Sequence, residues 1–265
     1  MKKIWKSETQ LMCLYRALND KSLLEKEPLE PVVDQPYKLV YINLAHREDR
    51  LLRLKQQLTK SGLIGTRFEA LTTTNTPTNL VGEMWIPGMN TKYDKRYDNR
   101  QDSVIKMSSG ERGCAGSHCT VWKIHKNVNL PLFILEDDAM FEDRILEIAN
   151  LSVQKLSSMN FKKPIILYLD HLVGEWYTST EKDVPNEIYI SSLVKLKRIK
   201  YTWNLSAYIL WPNTIEFLSS KLQINMPVDN WITQYIHNNN IIAYGCVPKP
   251  VRQFCNHCDG DIFHT

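Results

Sequence analysis

Apolar and polar positions alternate along this chain in short buried runs separated by amphipathic stretches. Lys38 to Leu44 reads as a first strand, and the charged turn His46 to Arg50 follows it. A helix is expected from about Leu51 to Ser61, with Leu51, Leu54 and Leu58 on one face and Gly62 as its stop. Strand, turn and helix in that order open an α/β sheet. Arg67 to Leu71 predicts a second short strand. The polar stretch Thr72 to Gln101, which carries Tyr93, Arg96, Tyr97 and Arg100, is long enough to be a functional flap. Ser108 to Glu111 then introduces a helix whose Gly113, Gly116, Ser117 and Thr120 make a thin face suited to close packing against a sheet. His118 and Trp122 sit four residues apart on that helix.

The sharpest feature is Leu130 to Asp138, a run that reads as a buried strand and ends in three consecutive carboxylates. Like charges at the rim of an apolar sheet repel unless something compensates them, and a divalent metal held by oxygen does so most simply. The rim is also where ligands collect in open α/β sheets. The alternative is a solvated acidic turn before the next helix, expected from Phe141 to Ser158. Beyond it the pattern predicts a strand over Pro164 to Asp170 and a strand or hairpin over Glu187 to Lys200. A strand over Leu205 to Trp211, a helix over Asn213 to Lys221 and a helix from Pro227-Val228-Asp229 toward His237 follow. A strand over Ile241 to Val247 and an irregular tail complete the chain. Residues 1–36 read as an appended helix, with Leu11, Leu14, Tyr15 and Leu18 on one face, and a linker broken by Pro28, Pro31 and Pro36. Residues 37–265 are expected to form a single domain.

Composition narrows the class. With 265 residues and 43% hydrophobic content the chain can bury a full core, which excludes disorder throughout. A net charge of +4 without any Lys/Arg run argues against nucleic acid as a partner, and leaves small anions as attractive ligands. Lys2 and Lys3 are followed by polar Ser7 to Gln10, so no signal peptide is expected. No window is apolar enough for a transmembrane segment, which leaves peripheral membrane contact open. Six scattered cysteines lack the density of a disulfide scaffold, and a reducing cytoplasm is the expected location. Cys255-Asn256-His257-Cys258, with Cys246, invites a zinc reading but lacks a clear second pair.

Several stretches taken in order resemble glycosyltransferase family 25, the lipopolysaccharide-type and collagen galactosyltransferases. They are Tyr41-Ile42-Asn43-Leu44 with Arg47 and Asp49-Arg50, and Gly110-Glu111 with Gly113-Cys114 and Ser117-His118. Ile134 to Asp138, Ala207 to Leu210, Pro227 to Asp229, and Pro250 through Gln253 to Asp261-Ile262 continue the match. The resemblance implies a GT-A-like fold, with a mixed, mostly parallel sheet flanked by helices. It also implies Mn²⁺-dependent (or Mg²⁺-dependent) inverting transfer of a hexose, galactose or similar, from a UDP-sugar to a glycan or glycoconjugate hydroxyl. The family's usual Gly after the strand at Leu167 to Leu169 is here Asp170.

Transfer from a nucleotide sugar needs the charge of the departing diphosphate neutralised. Asp138 is the expected first metal ligand, with Glu136 sharing the metal or facing ribose or the donor sugar, and Asp137 facing the nucleotide or pointing away. A further ligand is expected from His257, Asp259, Asp261 or His264 in the tail. Arg47 and Arg50 offer forked donors to phosphate, or else pair with Glu48 and Asp49 at the surface. Asn43 can read a uracil edge. His118 touches the donor or is a packed core residue; Glu111 faces the donor or complements the helix macrodipole. Asp229 is the leading candidate for the base that deprotonates the acceptor, with a plain N-cap as the alternative, and Asp170 is the runner-up. Two other classes compete. Glu136, Asp137, Asp138, Asp259 and Asp261 could build a two-metal phosphoesterase or nuclease, and the same acids could hold a structural ion in a non-catalytic nucleotide-sugar binder.

Overall fold

The structure, a computed structural model, describes residues 35–86, 88–92, 104–178 and 181–254. In chain order its elements begin with β1 (Lys38–Asn43), α1 (Glu48–Ser61), β2 (Thr66–Glu69), β3 (Met84–Trp85), β4 (Ile105–Lys106), α2 (Ser109–His125) and β5 (Leu132–Glu136). β6 (Ala139–Phe141), α3 (Ile145–Ser158), β7 (Ile165–Tyr168), β8 (Leu172–Trp176), β9 (Glu187–Tyr189) and β10 (Lys195–Trp203) follow. β11 (Ala207–Leu210), α4 (Pro212–Ser220), α5 (Val228–His237), β12 (Ile242–Val247) and β13 (Val251–Gln253) complete the series. Residues 36–265 form one compact unit. Apart from Gln35 and Pro36, the expected N-terminal helix and linker lie outside the described residues, as do Tyr93, Arg96, Tyr97, Arg100, Cys255, His257, Cys258, Asp259, Asp261 and His264. No described helix is long and apolar enough to cross a membrane.

The main sheet runs β2-β1-β5-β11-β7-β12-β10-β8, with β9 added on β10. It is mixed, as expected, and its parallel pairings are confined to β2-β1-β5 and β7-β12, where helices make the crossovers. β11 lies antiparallel between β5 and β7, and β10 pairs antiparallel with β12, β8 and β9. Alternation along the strands sends Val40, Ile42, Leu132 and Ile134 to the face covered by α2, α4 and α5. Leu39, Tyr41, Phe133 and Leu135 point the other way, toward α1 and α3. On the first face Trp122 and Trp231 stack at 6.1 Å and 18°, a contact worth about 1 kcal/mol beyond its buried area.

Local chemistry sets the helix ends. α1 starts at Glu48, earlier than expected, with Glu48 and Asp49 against the positive end of the helix. Gly62 ends it at φ 69°, its N–H reaching the carbonyls of Leu58 and Thr59. α2 opens with a complete capping box: Ser108 Oγ accepts the Glu111 N–H, and Glu111 Oε2 accepts the Ser108 N–H.

Two expectations are corrected. The helix predicted from Phe141 begins only at Ile145, because Ala139 to Phe141 is drawn into a strand by β13 and by Gln57 of α1. That side chain donates to the Ala139 carbonyl and accepts the Phe141 N–H. The thin face of α2 meets a loop rather than the sheet. A Cβ on Gly113 would lie 2.7 Å from the Leu71 carbonyl oxygen, and one on Gly116 would lie 2.7 Å from Thr76 Cγ2.

Candidate functional site

The carboxyl ends of β1 and β5, the loop after β2 and the first turns of α2 enclose a cleft of about 610 Å³. Glu136, Asp138 and His118 line one side, Arg50 and His46 another, and Thr72 to Thr74 a third. The loop bearing the threonines is held in shape by Thr73 Oγ1, which donates to the Ser109 carbonyl, and by Ser117 Oγ, which accepts the Leu71 N–H.

The three consecutive acids have three different fates. Asp137 is buried and saturated: Asn43 Nδ2 donates to Oδ2 at 2.7 Å and Arg50 Nη1 to Oδ1 at 3.0 Å. Burial pushes its carboxyl up against the pull of both partners. Asp138 has one donor among the described residues: Gln253 Nε2 lies 3.3 Å from Oδ2, and the buried Oδ1 meets none of their donors. Burial first and Glu136 second push the Asp138 carboxyl up to about 8. Glu136 Oε1 accepts from His118 at 2.9 Å and from the Cys114 thiol at 3.7 Å.

Behind Glu136 runs a buried chain of hydrogen bonds. Trp122 Nε1 can only donate, and it donates to the Tyr208 hydroxyl at 3.0 Å. The Tyr208 proton then points to His118 Nδ1 at 2.7 Å, which leaves the His118 proton on Nε2, facing Glu136. His118 is therefore both a packed residue, 1% exposed, and a part of the cleft wall.

The two candidate bases differ sharply. Asp229 lies in the first turn of α5, whose N-cap is Pro227, so the N-cap alternative is set aside. Oδ1 accepts the Asn230 N–H at 2.8 Å and Oδ2 the Asn204 N–H at 3.5 Å. Burial, then Glu136 and Glu111, push its carboxyl above the ordinary range against those two N–H groups. Its side chain stands beside the cleft rather than in its wall. Asp170 is committed elsewhere: Lys249 Nζ binds Oδ1 at 2.8 Å, and Asn204 Nδ2 and Ser206 Oγ bind Oδ2 at 2.8 and 2.7 Å. A carboxylate with three donors, 1% exposed and away from the cleft, cannot take a proton from an acceptor.

Other expected nucleotide contacts have protein partners. Asn43 donates to Asp137 and to the Arg47 carbonyl and accepts from Arg67, which leaves no free edge for a base. Arg47 forms a two-pronged pair with Asp49, whose carboxyl it holds down at about 2, as the surface alternative required. Glu111 closes the capping box of α2. Arg50 does line the cleft while it neutralises Asp137. Of the other cleft residues, Thr72 to Thr74 open the stretch expected as a flap, Cys114 and Gln253 lie in the stretches that carry the family resemblance, and His46 opens the charged turn after β1, although none of them was expected as a ligand.

The family model described as glycosyltransferase family 25 (LPS biosynthesis protein) matches residues 37–232. No curated protein sequence matches the chain significantly.

Proposed function

Since the chain belongs to glycosyltransferase family 25, we propose that it is an inverting, metal-dependent hexosyltransferase that uses a UDP-sugar and a glycan or glycoconjugate hydroxyl. The observation that supports metal dependence is the buried, donorless Oδ1 of Asp138 in a cluster with Glu136. Hard oxygen ligands suit Mn²⁺ or Mg²⁺, and Asp138 and Glu136 would hold the ion. When bound, such an ion offsets the charge that develops on a departing diphosphate.

The chain's own residues supply the rest. Arg50 brings positive charge and, with His46, N–H donors to the cleft wall, where a diphosphate can be oriented. Thr72 to Thr74 line the cleft from the opposite loop, a polar wall that suits a sugar. Asp229 is the base. Its raised carboxyl has the higher proton affinity that general base catalysis needs near neutral pH, and its contacts with backbone N–H groups fix its orientation. The two-metal phosphoesterase reading loses Asp137, whose two oxygens are consumed by Asn43 and Arg50.

Titration calorimetry with UDP-galactose in the presence and absence of Mn²⁺ tests the proposal. Asp138→Asn is expected to remove the metal-dependent part of donor affinity while the melting transition persists. Unchanged metal-dependent affinity in the folded variant would take Asp138 out of the site. Thermal shifts with UDP, GDP and CMP sugars identify the nucleotide, because ligand binding raises Tm by mass action.

A further inference from the structure

We propose that Cys114 Sγ, His118 Nε2 and Glu136 Oε1 form a second cation site in the cleft, selective for a borderline-soft divalent ion of the Zn²⁺ type. The site rests on the geometry of these three residues alone and stands whether or not the donor is a UDP-sugar. Their ligand atoms all lie within 4.8 Å of one another, with Glu136 Oε1 at 2.9 Å from His118 Nε2 and 3.7 Å from Cys114 Sγ. Ligand bonds of about 2.0–2.3 Å in a tetrahedral site put neighbouring ligand atoms roughly 3.3–3.7 Å apart, a range that the Glu136–Cys114 separation meets and that the Glu136–His118 pair reaches by opening a few tenths of an ångström.

Two features make this more than a chance cluster. Cys114 and His118 are four residues apart on α2, one helical turn, so both project to the same side, where the end of β5 delivers Glu136. Among the described residues, the Tyr208 hydroxyl is also placed at 2.7 Å from His118 Nδ1, where it can accept the Nδ1 proton once Nε2 turns to a metal. Ligating histidines are commonly held through their other ring nitrogen in this way. Binding releases the Cys114 thiol proton to solvent and moves the imidazole proton from Nε2 to Nδ1. All three side chains border the cleft, which leaves a fourth position for water.

A sulfur, a nitrogen and an oxygen favour Zn²⁺ or Co²⁺ over Mg²⁺ and Mn²⁺. Because Glu136 belongs to both sites, Zn²⁺ here withdraws a carboxylate from the hard-ion site next to Asp138. The same cleft then distinguishes ions by softness, with Zn²⁺ as an antagonist.

Co²⁺ titration followed by absorbance tests the site through the thiolate-to-cobalt charge-transfer band, with Zn²⁺ added afterwards as competitor. The full chain is used with Cys255→Ser and Cys258→Ser, so that the tail's own Cys-His cluster cannot report. The expected result is a charge-transfer band that Zn²⁺ abolishes and Mg²⁺ does not. Adding Cys114→Ser should remove the band, and Tyr208→Phe should retain it with affinity weakened about 10- to 100-fold. Glu136→Gln keeps the thiol and should weaken the band's titration, which serves if Cys114→Ser does not fold. The absence of a band in the tail-silenced protein, or a band that survives Cys114→Ser, overturns the proposal.

Discussion

Asp170 and Asp138 both stand at strand ends on the same rim of the sheet, yet one is surrounded by donors and the other nearly lacks them. Asp170 receives Lys249, Asn204 and Ser206. Asp138 has a long contact with Gln253, a bare Oδ1, and carboxylate neighbours. A folded protein can use a buried charge as a fastener, completing its shell from within, or hold the shell open for something that arrives later. Asp170 is the first kind and Asp138 the second. The presence of an acid at a strand end therefore says little about function; the count of donors around it says much more.

The largest expected effect breaks the fastener. Asp170→Ala leaves the Asn204 amide and the Ser206 hydroxyl without their acceptor and Lys249 with the His171 carbonyl alone, at a cost of about 4 kcal/mol, since each buried donor left unsatisfied costs roughly 1–3 kcal/mol. At roughly 2–4 °C per kcal/mol for a chain of this size, Tm should fall by roughly 8–16 °C in calorimetry. Asp229→Asn should act oppositely, on turnover rather than on folding. Asn keeps an oxygen for the Asn230 N–H and gives up only the long 3.5 Å contact with the Asn204 N–H, but cannot take a proton, so kcat should drop on the order of a hundredfold, about 2.7 kcal/mol on the barrier, at nearly constant Tm. Near-normal turnover in a folded Asp229→Asn would remove it as the base, and the occupied oxygens of Asp170 would not make that residue its replacement.

A smaller effect sharpens the contrast through pH. The Asp138 carboxyl ionises near 3.8 when unfolded and at about 8 when folded. The folded state thus holds a proton that the unfolded chain gives up, and its contribution to stability is full below pH 4 and fades as pH rises to 8. Metal-free protein should accordingly show a Tm slope between pH 5 and 8 that Asp138→Asn flattens. Mn²⁺ should add most stability at the alkaline end, because the ion must displace that proton. A slope identical in both proteins would count against the burial of an uncompensated carboxyl.

What the sequence revealed was local. The charged turn into α1, the Gly62 stop, the helix opening at Ser108 and the acids at the end of an apolar run all arise from residues within a few positions of one another. Asp137 borders the same cleft as Glu136 and Asp138, and what sets it apart is its pairing with Asn43 and Arg50. What was hidden is long-range: Asn43 and Arg50 reach Asp137 across 94 and 87 residues, and Lys249 reaches Asp170 across 79. No periodicity records such partnerships, so Asn43 and Asp170 read as chemically available when they are spoken for. The strand at Ala139 to Phe141 was hidden for the same reason, since its partner is Val251 to Gln253.

The reversed strand β11 has a consequence for how such a protein can diversify. Because it runs against β5 and β7, the segment entering it, Asn204 to Ser206, crosses the rim where both of those strands end. The Ser206 carbonyl takes the Glu136 N–H, Ser206 Oγ and the Asn204 amide grip Asp170, and the Asn204 N–H faces Asp229. Asn204 makes this crossing at φ 77°, a left-handed conformation that few side chains other than Asn tolerate. Three residues thereby act as a crossbar whose length cannot change without displacing acids on both sides. The threonine loop opposite is pinned by a few hydroxyl contacts and can accept insertions and exchanges. Changes of loop length are thereby confined to that bank of the cleft, while the crossbar keeps the acids in register.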